Sequence, residues 1–131
     1  MSLLLCIDTA QTVAGIYLGE NGKLIDYSEN GNQQDHASWI HVAIDELLKR
    51  QNTTVTELSA IAVIEGPGSY TGLRVGMATA KGLCYALQIP LITESSLKAM
   101  AASLLVSKEF ISATVSANSS ANEYLLAPMI D

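Results

Sequence analysis

A glycine-rich turn is the clearest place for chemistry in this sequence, at residues 65–74 (Glu-Gly-Pro-Gly-Ser-Tyr-Thr-Gly-Leu-Arg). The turn lies between an apolar run typical of a buried strand and a predicted helix. Glycine and proline favour a tight turn that another group can approach closely, and amides at a helix N-terminus can hold an anion. The candidate anion-binding or nucleotide-binding residues of this turn are Gly66, Gly68, Ser69 and Gly72. The alternative, which we favour, is a rigid turn that sets the helix for docking.

The order of residues in the turn excludes three well-known motifs. No Gly-Lys-Ser or Gly-Lys-Thr follows the glycines, so this is not a Walker loop, and the spacing is not the dinucleotide Gly-x-Gly-x-x-Gly pattern. A nucleophile elbow, Gly-x-Ser-x-Gly, is excluded because position 67 is proline. Glu65 and Arg74 flank the turn and could form an ion pair or remain two solvated charges. A surface pair of this kind stabilises a fold by at most ~1 kcal/mol.

A second candidate site follows the first predicted strand, at Asp8 and Thr9. Hydroxyls and backbone amides in residues 9–13 could bind phosphate. The alternative is a strand-end turn in which Asp8 and Thr9 form only local hydrogen bonds, and we favour it.

The two histidines, His36 and His41, do not predict a metal site. They are five residues apart, which on one helix points them about 140° from each other, whereas a four-residue spacing would align them. No cysteine lies near to complete a ligand set. We therefore expect no bound metal and no metalloprotease activity.

Hydrophobic periodicity predicts elements in the order βββαβαβα. Residues 3–29 have the pattern of an antiparallel three-stranded meander, with the Asn21-Gly22 dipeptide as a turn signal. Three strands followed by helical crossovers predict a mixed five-stranded sheet flanked by helices. After a loop at 30–35, the remaining predicted elements are helix 37–51, strand 60–64, helix 73–87, strand 89–93, a helix from about 95 to 106, and a last strand at 124–130.

Composition limits the classes of function. Hydrophobic residues make up 49% of the chain and charged residues 15%, which favours a globular fold. Thirteen acidic residues against seven basic ones give a net charge of −6, so we expect no direct binding to nucleic acid. No apolar run approaches the ~18 residues of a membrane span, and no secretory signal is apparent. Cys6 and Cys84 occupy apolar positions typical of buried thiols in a reducing compartment, and we expect a cytoplasmic protein.

Four segments together resemble the TsaB (YeaZ) family. TsaB proteins are relatives of TsaD, the glycoprotease family, within the actin-like ATPase and sugar-kinase superfamily. The resemblance covers residues 3–106, and the glycine-proline signature is its most specific part. The matching segments are Leu-Leu-Cys-Ile-Asp-Thr-Ala at 4–10, Asp-His-Ala-Ser at 35–38, Gly-Pro-Gly-Ser-Tyr-Thr-Gly-Leu-Arg-Val-Gly at 66–76, and Pro90 with Ser-Ser-Leu at 95–97.

The resemblance implies a ribonuclease-H-like, actin-like lobe and a role in making threonylcarbamoyladenosine beside the anticodon of tRNA. It implies a non-catalytic scaffold that partners a TsaD-like enzyme and that enzyme's ATPase partner, with a homodimer in isolation. Asp8 matches the carboxylate that actin-like ATPases place near magnesium and phosphate. No cofactor is expected of this chain alone, and ATP or ADP with magnesium is expected only in the full complex.

The resemblance also implies that pairing uses the two long helices. Helix 73–87 carries only Arg74 and Lys81 as charges, so we expect both its faces to be covered. Two small-residue pairs four apart, Gly76 with Ala80 and Ala78 with Gly82, allow close helix approach. The predicted interface residues are His36, Trp39, Ile40, Ile44, Leu73, Val75, Gly76, Met77, Ala80, Leu83, Cys84 and Leu87.

The sequence also predicts domain bounds. We expect an N-terminal lobe at 1–106, a connector at 107–123, and at 124–131 the first strand of a truncated second lobe. Two other functions fit the sequence less well. One is an ATP-dependent phosphotransferase of the sugar-kinase type that uses Asp8, and the other is an inactive fragment of the fold.

Overall fold

The computed structural model describes residues 2–32 and 36–99, which form a mixed five-stranded sheet and two long helices. The sheet order is β3-β2-β1-β4-β5. The first three strands are antiparallel neighbours, while β4 and β5 join β1 in parallel. Along the chain the elements are β1 (Leu3–Asp8), β2 (Ala14–Glu20), β3 (Lys23–Asn30), α1 (His36–Arg50), β4 (Ala60–Gly66), α2 (Tyr70–Leu87) and β5 (Leu91–Ser95).

The alternation of apolar side chains defines one buried face of the sheet. Leu5 of β1 lies opposite Leu18 of β2 on one side and Ile61 of β4 on the other. Successive strand residues point to opposite faces, so these three side chains share a face. All three are fully buried, and both helices contribute to the same hydrophobic cluster. The core therefore lies between this face and the helix layer.

Helix α1 packs on the core through the stripe that its sequence predicts. Ile40, Ile44 and Leu47 lie on one side of the helix and are buried, while Lys49 and Arg50 are exposed at its end. Arg50 also ties the helix to β3, since its Nε lies 3.0 Å from a carboxylate oxygen of Asp26. The tether fixes the C-terminal end of α1 over the outer strand of the meander.

The predicted fold class is confirmed, with local differences. Helix α2 begins at Tyr70 rather than near residue 73, because the Ser69 hydroxyl caps it by accepting a hydrogen bond from the Gly72 amide. Strand β5 begins two residues later than predicted, because Gln88 ends α2 in the left-handed conformation and a short loop follows. A short 3-10 turn, Val55–Glu57, was not predicted. The third helix has begun at residues 96–99, and its predicted remainder, the connector and the last strand lie outside the described residues.

Candidate functional site

The two candidate turns of the sequence lie against each other at one edge of the sheet. The Ser69 amide donates a hydrogen bond to the Ala10 carbonyl oxygen, with 2.8 Å between nitrogen and oxygen. On the other side, the Ala10 amide donates to the Asp8 carboxylate at 3.0 Å. The turn after β4 is also held by the residue that follows β5, since the Ser96 hydroxyl donates to the Pro67 carbonyl. The structure thus joins Asp8 to the glycine-rich turn through Ala10.

Three glycines spaced four residues apart make this close contact geometrically feasible. A Cβ atom at Gly68 would lie 2.8 Å from the Ala10 Cβ, and one at Gly72 would lie under 3.0 Å from the Thr9 carbonyl oxygen. A Cβ at Gly76 would meet the Thr9 hydroxyl at a similarly forbidden distance. The helix backbone therefore rests directly on the end of β1. Only hydrogen fits at these positions, which explains why the signature is rich in glycine.

The predicted nucleotide-binding residues are gathered at this contact, but their polar groups mostly bond each other. The Ser69 amide bonds to Ala10, the Gly72 amide to the Ser69 hydroxyl, and the Asp8 carboxylate to the Ala10 amide. Gly66 adopts a φ of 124°, which an L side chain rarely adopts, as the tight turn requires. These contacts favour the rigid-turn interpretation. Nucleotide binding by this edge stays a prediction.

Helix α2 presents its opposite side to solvent, and this outer face is the second part of the site. We define the outer face by five exposed residues, Tyr70, Arg74, Ala78, Lys81 and Tyr85. The two tyrosines are 73% and 81% exposed, which is unusual for such large side chains. The Arg74 guanidinium lies over the Tyr70 ring at 5.5 Å from its centre, a cation–π contact.

A shallow hollow runs along this outer face. It has a volume of about 490 Å³ and is lined by Glu65, Leu73, Met77 and every outer-face residue except Tyr85. Leu73 and Met77 are half-buried at its floor. The face therefore combines apolar, aromatic and cationic groups, the mixture that protein interfaces favour over general surface.

Half of the predicted interface residues lie inside the chain itself. Ile40, Ile44, Ala80 and Cys84 are buried in the core, Gly76 is pressed on Thr9, and His36 is also buried. These six residues are not available to a partner, because the chain's own core already covers them. The remaining six predicted interface residues are half-buried: Trp39, Leu73, Val75, Met77, Leu83 and Leu87.

The structure separates the two histidines and leaves Glu65 and Arg74 unpaired with each other. His36 begins α1 and is buried, and neither of its ring nitrogens has a hydrogen-bond partner among the described residues, whereas His41 is exposed. Among the residues that the structure describes, no three His, Cys, Asp or Glu side chains are placed to hold a metal ion. Within the same residues, Arg74 contacts Tyr70 instead of forming a salt bridge with Glu65.

A small hollow of about 190 Å³ lies on the sheet face opposite the helices, beside Asp8. Tyr17 lines it and stacks on Tyr27, with ring centres 6.2 Å apart. Burial, together with the charge and hydrogen bond of Glu29, raises the pKa of the Tyr17 hydroxyl to about 12. Burial also raises the pKa of Cys6, which lies in the same wall as a free thiol. Neither group is poised to act as an acid or a nucleophile near neutral pH.

Sequence reasoning did not choose between the two sides of α2. It noted Ala78 and Gly82 as a small-residue pair, but none of the five outer-face residues is among its predicted interface residues. A signal was present in the spacing of small residues, which recur every four positions at 68, 72, 76, 80 and 84. A run of this spacing marks one side of a helix. The opposite side, with Ala78, Lys81 and Tyr85, is then the exposed one. Here the small residues face the sheet, because close backbone contact needs them.

The sheet order and the two helices on one face define an α/β lobe of the ribonuclease-H-like, actin-like type. RuvC of Thermus thermophilus shares this fold in two structures, alone and with a Holliday junction, at TM-scores of 0.52 and 0.54 and 15% identity. At that identity only the fold is comparable. Neither long helix of the described ranges combines the length and hydropathy that a membrane span requires.

Closer relatives define the family. The family model "TsaD: tRNA N6-adenosine threonylcarbamoyltransferase" matches residues 30–123. The structure of YeaZ from Pseudomonas aeruginosa is 30% identical, with a TM-score of 0.69 over 74% of this chain and 45% of that one. The tRNA threonylcarbamoyladenosine biosynthesis protein TsaB is 38% identical over 101 residues in Haemophilus influenzae and 36% identical over 99 residues in Bacillus subtilis. The chain therefore belongs to the TsaD family, among its TsaB (YeaZ) members.

These alignments cover only part of the relatives. They span 75% and 76% of this chain, but 41% and 43% of the Haemophilus and Bacillus proteins. The chain thus corresponds to less than half the length of the curated relatives it matches.

Proposed function

We propose that this chain is a non-catalytic subunit in tRNA threonylcarbamoyladenosine biosynthesis that pairs with a TsaD-like threonylcarbamoyltransferase. The observation that carries the proposal is its 38% identity to a TsaB protein whose name assigns it to this biosynthesis. The pairing surface in the proposal is the outer face of α2 together with Trp39, the half-buried residue of α1. The transferase and its ATPase partner would supply the chemistry and the nucleotide.

The character of the outer face supports a docking role. Tyrosine and arginine are the residue types on which binding energy most often concentrates, and Tyr70, Arg74 and Tyr85 are all exposed there. Ala78 lies between them and lets a facing helix approach closely. Burial of the two tyrosines would contribute about 25 cal/mol per Å² of apolar area removed from water.

The charge of the chain supports an indirect relation to tRNA. With thirteen acidic residues against seven basic ones, the chain has no excess of cations to neutralise phosphates. In the proposal, tRNA is bound by the complex through the transferase. The same pairing surface would form a weaker homodimer when the transferase is absent.

The proposal is tested by titrating the chain with the TsaD-like protein of the same organism and measuring mass by light scattering and affinity by calorimetry. We expect a one-to-one complex. The variant Ala78→Glu places a charged side chain in the centre of the outer face, and we expect its affinity to fall at least tenfold, or ~1.4 kcal/mol. The matched control is Thr56→Glu, an exposed position in the 3-10 turn outside both helices.

Two results would refute the proposal. One is the absence of any complex with the transferase at micromolar concentrations, with both proteins folded by circular dichroism. The other is equal affinity for the Ala78→Glu and Thr56→Glu variants, which would move the contact away from α2.

A further inference from the structure

The charges of the outer face select between two kinds of partner. Arg74 and Lys81 are seven residues apart on α2, two turns, and both are exposed. In the described ranges these two side chains and Lys23 form no ion pair, whereas Lys49, Arg50 and Lys98 each do. Two cations without a carboxylate partner in the described ranges thus flank Ala78, on a chain whose net charge is −6.

Pairing with a second copy would bring these cations together. A two-fold contact presents the same surface to itself. If the two copies of α2 run parallel, Arg74 meets Arg74 and Lys81 meets Lys81. If they run antiparallel and cross near Ala78, Arg74 of one copy lies next to Lys81 of the other, twice.

The carboxylate of Glu65 does not relieve this repulsion. It lies in the turn before α2, at the N-terminal end of the hollow. It could reach Arg74 of a second copy only if the helices crossed near residue 70, away from Ala78 and Gly82. Close approach through Ala78 and Gly82 therefore requires one register of the two helices, and an ion pair between Glu65 and Arg74 requires another.

We propose that Arg74 and Lys81 make the outer face specific for a helix of another protein that carries two carboxylates about 10 Å apart, two turns of helix. This rests on the proposed function, since it names the chemistry of the partner at that same surface. Opposite charges at matched positions set register and reject the like-charged alternative. A homodimer is then the weaker of the two complexes.

The test reverses one charge and follows both complexes. Lys81→Glu should weaken the complex with the TsaD-like protein about tenfold. The same change should tighten an antiparallel homodimer about tenfold, because the new carboxylate at position 81 then faces Arg74 of the second copy; in a parallel homodimer position 81 faces itself, and the affinity should not rise. Lys23→Glu, the same change of charge at an exposed position of β3, is the matched control and should alter neither.

Salt gives an independent readout on the unmodified chain. Added salt screens exposed charges, so raising sodium chloride from 0.05 to 0.5 M, roughly a threefold shortening of the screening length, should weaken the heterodimer and strengthen the homodimer. The inference would be overturned if the affinities of the heterodimer and the homodimer changed in the same direction with added salt, or with Lys81→Glu.

The two proposals fail in different ways. If the unmodified chain forms no heterodimer, the proposed function is refuted. The effects of Lys81→Glu and of salt on homodimer affinity then still test the role of the charges. A normal heterodimer that is insensitive to Lys81→Glu refutes the charge selection alone.

Discussion

Replacing Gly72 by alanine tests whether the helix backbone truly rests on the end of β1. The new Cβ would lie under 3.0 Å from the Thr9 carbonyl oxygen, a distance that real Cβ atoms essentially never show. The obstacle is backbone, so a rotamer change cannot remove it. The N-terminal turns of α2 must move, and the hydrogen bond from Ser69 to Ala10 moves with them.

The expected loss follows from two opposing terms. Overpacking of this kind costs about 1–3 kcal/mol, and the obstacle here is rigid, so we use the upper half of that range. Alanine in place of glycine in a helix returns up to ~1 kcal/mol. The net destabilisation is then about 1–2 kcal/mol, or a fall in melting temperature of roughly 5–15 °C for a domain of this size.

Gly82→Ala is the matched control on the same helix. A Cβ at Gly82 would meet nothing within 4 Å, so only the gain in helix propensity remains. We expect it to stabilise the chain by about 0.5–1 kcal/mol. Urea unfolding followed through the single tryptophan, half-buried Trp39, measures both variants. Gly72→Ala as stable as the unmodified chain would show that the turn and the helix do not press on β1.

Three further predictions concern neighbouring features. Gly76→Ala should destabilise the chain by about 1 kcal/mol. Thr9→Ala should restore that stability in a double-mutant cycle, because the group that obstructs the new Cβ is the Thr9 hydroxyl. Additive effects of the two substitutions would refute this. Hydrogen bonding to Arg50 lowers the pKa of Asp26 from 3.8 to about 2, so its stabilisation is complete above pH 4 and is lost as pH falls through 2. The urea midpoint of Arg50→Gln should therefore fall less between pH 4 and 2 than that of the unmodified chain. Equal falls would show that the Asp26–Arg50 pair does not stabilise the fold. Burial raises the pKa of the Cys84 thiol, so a thiol reagent at pH 8 should label it only after urea unfolds the chain, as mass spectrometry of the labelled peptide would show.

The fold was predictable from the sequence because its strands and α1 carry strong periodic signals. Ile40, Ile44 and Leu47 define one side of α1 without ambiguity, and the structure buries that side. The Asn21-Gly22 dipeptide marks a turn that adopts the expected positive φ at both residues. Where apolar residues alternate with polar ones, burial of apolar surface decides the orientation of the element.

The orientation of α2 was not predictable in the same way. Its apolar residues are spread around the helix, so hydrophobicity alone does not choose a face. The decision depends on size: Gly76 and Ala80 face the sheet because the backbone approaches closely there, while the larger Leu73 and Met77 are only half-buried. Packing against β1 is a tertiary effect, and it overrides the expectation that the bulkiest side chains occupy the core.

Helix α2 divides its two sides between different constraints. On the sheet side, Gly72 and Gly76 admit nothing larger than hydrogen, so that surface cannot vary without moving the helix. On the solvent side, Gly82 has open space around it, and Ala78, Lys81 and Tyr85 contribute little to the core. Substitutions on the solvent side can therefore change the surface chemistry of α2 while its packing on the sheet stays intact, so the proposed pairing surface is free to diverge without loss of the fold.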